Sequence, residues 1–141
     1  MSLTPQQQRI VAIADELAAT FAARAPRHDA DSSFPHENWQ DLHGSGYLRL
    51  VIPRQYGGEG ASVLDMTIAQ ERLGRGCAST ALGAAMFISV LGRAVEIDAW
   101  PEPVMAEICR ELAGAGGGLN NCVTETELGS ISRGGTPLTG A

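Results

Sequence analysis

The sequence is poor in the residues that mark specialised chemistry. Aromatics make up only 5% of its 141 residues, so the core must be built from aliphatic and small side chains. Cysteine occurs three times, at Cys77, Cys109 and Cys122, with no CxxC pair. An odd, scattered set in apolar or small-residue surroundings reads as free buried thiols in a reducing cytosol. A disulfide framework and a structural zinc site are both disfavoured. His28, His36 and His43 lie eight and seven residues apart, with no carboxylate or cysteine at ligand spacing. They read as surface or capping histidines, and no metal is expected. No P-loop or GxGxxG is present. Gly114 to Gly118 is glycine-rich, but it precedes an apolar stretch instead of following a strand, so it lacks the context of a phosphate loop. The first ten residues are polar and do not read as a secretory signal. No apolar run approaches the ~20 residues of a membrane span; Ala78 to Val95 comes nearest, interrupted by Ser79, Thr80, Ser89 and Arg93. Basic charge is also scarce. Ten Lys and Arg against sixteen Asp and Glu leave a net charge of -6. A nucleic-acid backbone would be repelled, although helix ends can still bind a nucleotide cofactor's phosphates.

Helical patterning is abundant. Hydrophobic residues form 44% of the chain, enough to bury a core. Thr4, Pro5 and Gln7 spell a capping box with proline at the first helical position, predicting a helix from Pro5 to about Arg24. Ile10, Ile13, Ala14, Leu17 and Phe21 form its apolar stripe. A short helix follows from about Pro35 to His43, burying Trp39 and Leu42, and Gly44 and Gly46 end it. Pro53 to Gly60 is a loop. Ser62 and Asp65 form a second capping box, opening a helix with Leu64, Ile68 and Leu73 on one face. A fourth helix, capped by Ser79 or Thr80, runs to about Asp98 and is apolar on nearly all sides, which places it centrally. A fifth runs from Pro101 or Pro103 to about Ala113. Val104, Ile108 and Leu112 would be its buried set, with Glu107 and Arg110 facing water. Leu119 to Thr124 then reads as a strand without a visible partner, followed by a turn-rich stretch to Ala141. The expected fold is mainly α: a bundle of about five helices over residues 1–116, then the first strand of an incomplete β domain over residues 117–141.

Three segments in order carry a family resemblance. Leu48-Arg49-Leu50-Val51-Ile52-Pro53-Arg54-Gln55-Tyr56-Gly57-Gly58-Glu59-Gly60 is similar to the IPxxYGGxG loop of the acyl-CoA dehydrogenases. Glu71 to Ala81 resembles that family's junction between two helices. Val123-Thr124-Glu125-Thr126-Glu127-Leu128-Gly129-Ser130 is similar to its TEPxxGS flavin-contact stretch. Each alone is weak, and Tyr56-Gly57-Gly58 by itself is a turn.

The resemblance implies the fold of that family's N-terminal helical domain, followed by the start of its middle β domain. It implies an FAD flavoprotein of fatty-acid metabolism that removes hydrogen across the alpha and beta carbons of an acyl-CoA. The complete protein would be cytoplasmic and homo-oligomeric. It implies FAD contacts at Asn121, Val123, Thr124, Gly129 and Ser130, with Ser130 also near the acyl thioester. The fourth helix would border the acyl pocket, leaving Met86 and Phe87 as core, pocket wall, or both. No residue here matches the family's catalytic base, which lies on a C-terminal helical domain. These residues are therefore expected to be a severed, inactive portion. Departures are Thr126 where the family has proline, Ile131 where an aspartate often stands, and Asn121 where an aromatic is common. They leave a flavin monooxygenase relative open, as the lone strand leaves open a stand-alone helical interaction module or degenerate remnant.

Overall fold

The computed structural model describes residues 2–114, 117–119, 124–125 and 129–130, the last four as backbone only. Five α-helices carry the fold: α1 (Pro5–Asp31), α2 (His36–Gly44), α3 (Val63–Gly76), α4 (Ala78–Glu96) and α5 (Glu102–Gly114). Single 3-10 turns at Tyr47–Arg49 and Arg54–Tyr56 bridge α2 to α3.

Both capping boxes form. Thr4 Oγ1 accepts from Gln7 N–H and Ser62 Oγ from Asp65 N–H, each at 3.2 Å. The two boxes are also joined, because Gln7 Nε2 donates to Asp65 Oδ1 at 2.9 Å. That bond sets the starts of α1 and α3 side by side. Arg72 then meets Asp15 farther along, so the two helices run parallel. Ile10, Ala14, Leu17 and Phe21 bury the α1 stripe as patterned.

Helix α1 does not stop at Arg24. It continues through Pro26 to Asp31. A proline inside a helix leaves the carbonyl four residues earlier without its N–H partner. That residue is Ala22, which is exposed, so water can satisfy the group. The extension seats His28 in the corner between α1 and α2. His28 is buried instead of lying on the surface. Its Nδ1 lies 2.7 Å from Ser33 Oγ and its Nε2 3.0 Å from Glu37 Oε1.

Glu37 sits in the first turn of α2. A hydrogen bond from its own backbone N–H, then one with His28, hold its carboxyl at about 2, below the usual 4.5. The folded value lies below the unfolded one. Its contribution to stability is therefore complete above about pH 4.5 and is lost as pH falls toward 2. Replacing Glu37 by glutamine should lower stability at neutral pH, with the gap to the natural protein closing over that acidic interval. Urea titrations at a series of pH values measure it, and a gap of constant size down to pH 2 would contradict the assignment.

Beside this corner runs a polar chain, part-buried at Arg24 and Asp41 and buried from Asn38 onward. Arg24 Nη1 donates to Asp41 Oδ2 at 2.6 Å and to Asn38 Oδ1 at 3.0 Å. Asn38 Nδ2 donates to Thr80 Oγ1 at 2.9 Å, and that hydroxyl donates to Cys77 Sγ. Asn38 and Thr80 are fully enclosed, so each partner satisfies a group that would otherwise be stranded. This chain explains why α4 begins one residue before Ser79, with Cys77 as its N-cap and no side-chain cap. Thr80 faces inward instead of capping.

Several faces differ from the periodic expectation. Helix α3 buries Met66, Ala69 and Leu73, while Leu64 is exposed. Helix α5 buries Met105, Ala106 and Cys109; Val104 is exposed, and Glu107 and Arg110 face water as patterned. Helix α4 is long and apolar enough to cross a membrane by length and composition. In the bundle it buries Ala84, Phe87, Ile88 and Leu91 but leaves Leu82 and Met86 more than half exposed. It is thus a wall of the core and not its centre. Cys77 and Cys109 are buried free thiols; Cys122 lies outside the described residues.

Past α5, β1 (Thr124–Glu125) pairs antiparallel with β2 (Gly129–Ser130). The strand read over Leu119 to Thr124 is therefore not partnerless where it is described. Of that span, Leu119 is irregular, 120–123 lie outside the described residues, and Thr124 is in β1.

Candidate functional site

Two places could serve chemistry. The first is the β1–β2 pair. Thr124 stands opposite Ser130, and Glu125 opposite Gly129. Directly opposed residues in an antiparallel pair have Cα atoms about 4.5–5.5 Å apart. The pairing thus brings together Thr124 and Ser130, two hydroxyl residues named for flavin contact, with Gly129 beside them. Asn121 and Val123 lie outside the described residues.

The second is an open groove of about 1060 Å³ between α3 and α4. These helices form a tight antiparallel hairpin through Cys77. Gly74 lies against Ala81, where even an added Cβ would stay 3.9 Å from the Ala81 methyl. With its amide turned to satisfy both atoms, Gln70 donates to Ala81 O and accepts from Ala85 N–H, each at 3.3 Å. On the side of Gln70 away from the Cys77 turn, the groove lies between the two helices. Leu64, Ile88, Ala85 and Gly92 give it an apolar lining, and Val51 closes it from the connection below. Thr67 and Ser89 hydroxyls also line it, but each donates to a carbonyl of its own helix, Val63 O and Met86 O. The charged residues at the rim are matched. Glu71 pairs with Arg75, and Arg93 with Glu96 at 3.6 Å. Leu64 is exposed because it borders this groove. Neither Met86 nor Phe87 lines it: Met86 points outward and Phe87 into the core. The wall is made by their neighbours on α4, Ala85, Ser89 and Gly92. The signal for it was a run of small residues at helical spacing, which reads in one dimension only as a weak core face.

The loop from Ile52 to Gly60 supports the groove from beneath. Gly60 N–H donates to Ile52 O at 2.9 Å and Ala61 N–H to Leu50 O at 2.7 Å. Gly57 and Gly60 take positive φ of 90° and 62°, where glycine carries no Cβ strain. The loop is a fastening with no free polar array. Among the described residues, no cluster of His, Cys, Asp and Glu is placed to hold a metal ion.

Comparison with known proteins supplies the family. The acyl-CoA dehydrogenase N-terminal domain matches residues 4–100. The chain belongs to the acyl-CoA dehydrogenase family. Those residues hold α1 to α4 with the loop and junction between them, so the bundle is the helical N-terminal domain of that family. The chain is 41% identical over 134 residues to YdbM of Bacillus subtilis (strain 168), provisionally named an acyl-CoA dehydrogenase. That match covers 95% of this chain and 34% of the relative. A 3-sulfinopropanoyl-CoA desulfinase of Advenella mimigardefordensis is 30% identical over 131 residues, 92% of this chain and 32% of that one. A further desulfinase of the same name, from Variovorax paradoxus, is 31% identical over a like span. The chain therefore spans about a third of the length of these curated relatives.

Proposed function

We propose that this acyl-CoA dehydrogenase-family chain is the N-terminal part of an FAD-dependent oxidoreductase acting on an acyl-CoA thioester. The observation that carries the reading is the family match across residues 4–100. The boundary of its helical domain falls near residue 116, after α5, and the β1–β2 pair begins the next domain.

The residues present fit a flavin at that pair. Thr124 and Ser130 are held opposite each other, and Gly129 lets a planar ring approach the backbone without a side chain between them. Thr124 would stabilise the pyrimidine edge, Ser130 would lie near the pyrophosphate and the thioester, and Asn121 and Val123 would complete the contact. When bound, FAD supplies the acceptor for a hydride from the beta carbon. The groove between α3 and α4 would take the acyl tail, its apolar wall excluding water from the chain while the carrier stays outside. No residue here is assigned as the base that removes the alpha proton. The two carboxylates at the groove, Glu71 and Glu96, are exposed and engaged by arginines. Catalysis is therefore not expected of these 141 residues alone. The buried free thiols support a cytoplasmic protein. The exposed Leu82 and Met86 support assembly against further protein surface, as a homo-oligomer.

A second reading comes from the desulfinases among the relatives: loss of a sulfinate group from an acyl-CoA instead of dehydrogenation. Both readings keep the thioester and the groove.

The test is to mix the purified chain with FAD, desalt it and record a visible spectrum. Retained yellow colour with a shifted flavin band is expected if residues 121–130 suffice for binding. If a longer form carrying the remaining domains also emerges colourless, the flavoprotein reading fails.

A further inference from the structure

We propose that Ser33 is a nucleophile activated by His28, and that the corner between α1 and α2 takes acyl groups from aryl esters of small acids. Three side chains are linked there. Ser33 Oγ lies 2.7 Å from His28 Nδ1, and His28 Nε2 lies 3.0 Å from Glu37 Oε1. Serine, imidazole and carboxylate in that order are the parts of an activated nucleophile. The proton positions follow from the partners. Glu37 is held ionised and only accepts, so Nε2 carries the hydrogen between them. Nδ1 is then bare and accepts from the Ser33 hydroxyl. Arg27 Nη2 also lies 3.0 Å from Nε2 and is paired with Glu37. Among the described residues, Arg27 and Glu37 are the charged groups in contact with the ring, and the connection from Ser32 to Pro35 carries none. His28 is buried while Ser33 is exposed, so the base is fixed and the nucleophile meets solvent. Ser32 takes a left-handed φ of 51°, and Ser33 N–H returns to His28 O at 3.2 Å. The next amide, Phe34 N–H, donates to no acceptor among the described residues. The amide after a nucleophile is a donor that a developing oxyanion can use. The Phe34 ring is more than half exposed and stacks on Trp39 with centroids 6.2 Å apart, an apolar plate one residue beyond the hydroxyl. That plate suits an aryl leaving group. In the reaction Ser33 Oγ bonds to the acyl carbon, and the bond from that carbon to the aryl oxygen breaks. The serine proton passes through His28 Nδ1 to the departing phenolate. Water, giving its proton to the same nitrogen, then releases the acid and restores the serine.

The test treats the 141-residue chain with p-nitrophenyl acetate to measure rate, and with an alkyl fluorophosphonate, which halts at the serine adduct, to map the site. The sequence has no lysine, so the terminal amine is the one amine that competes for acetyl. The expected result is a single phosphonate per chain, located at Ser33 by peptide mass mapping. Ser33→Ala should lose the adduct, and Ser32→Gly should keep it. His28→Gln should slow acetylation about 100-fold or more. In the natural chain the rate should rise with pH as the imidazole becomes neutral. That rise should vanish in His28→Gln. It should begin at lower pH in Glu37→Gln, whose amide no longer favours the imidazolium, a change that a purely structural role for Glu37 would not produce. Label at the terminal amine, a cysteine or a tyrosine in place of Ser33 overturns the proposal, as does a natural chain no faster than Ser33→Ala. Labelling of Ser33 at a rate that His28→Gln leaves unchanged also overturns it. Should a variant fail to fold by circular dichroism, the map and the pH profile of the natural chain decide.

Discussion

Replacing Gly58 by alanine is expected to unfold the chain or to cost it about 4 kcal/mol or more, among the largest effects a single methyl can have. An added Cβ would overlap the Ile52 carbonyl oxygen and come within 2.6 Å of its carbonyl carbon. Relief requires moving backbone, and this backbone is pinned from both sides. Ile52 O accepts from Gly60 N–H, and the Ile52 side chain is fully buried. Shifting it would disturb Leu50 and Val51, which share the same core. The neighbouring glycine gives the control. Gly57 has φ of 90° but its Cβ would meet only the Ala113 methyl at 3.8 Å. Gly57→Ala should therefore cost only local strain, about 1–2 kcal/mol. Urea titration of the two variants separates these effects. Equal losses would show that the Tyr56-Gly57-Gly58 turn is held by turn geometry alone, without the close approach to Ile52.

That contrast marks what the sequence can and cannot disclose. Local features were legible. Thr4 with Gln7 and Ser62 with Asp65 announce helix starts because a capping box lies within four residues. The α1 stripe was legible because α1 packs mainly against a single helix, α3. The loop at Gly58 and the junction at Gly76 were visible as motifs, but the reason for each glycine was not. It lies in a contact with Ile52 in one case and Ala18 in the other. The α5 face was misread for a related reason. Its buried set is Met105, Ala106 and Cys109, two of them small, while Val104 is exposed and Ile108 half-buried. Periodicity weights size, whereas burial follows where the neighbouring helix comes close. The groove was invisible because it is lined jointly by α3, α4 and the connection at Val51 and Ala61, which makes exposed Leu64 look like core in one dimension. His28 escaped because a proline ordinarily ends a helix, and nothing local shows that Ala22 faces water. Of the proposed flavin contacts, the sequence supplied the residue types through the family resemblance. The structure adds the pairing of Thr124 with Ser130.

The second large effect is expected at Gly76, the last residue of α3. There a Cβ would run into the backbone of α1, overlapping the Ala18 carbonyl oxygen and lying 2.6 Å from its Cα. The two helices touch main chain to main chain at that point, so no rotamer change can make room. Gly76→Ala should push α1 and α3 apart near the ends of their contact. The separation would strain the Arg72–Asp15 pair and loosen the packing of Leu17 and Leu73. Overpacking of this kind costs about 3 kcal/mol or more when neither wall can yield. Gly74, two residues earlier on the same helix, predicts the opposite sign. Its Cβ would meet only the Ala81 methyl at 3.9 Å. Its glycine carries the usual helix penalty, so Gly74→Ala should stabilise the chain by about 0.5–1 kcal/mol. Helix propensity treats the two glycines alike, and only the close approach of α1 separates them. Thermal melts of the paired variants measure the difference. If both alanines raise the midpoint, the helices do not meet as closely as Gly76 requires, and the α1–α3 packing is wrong.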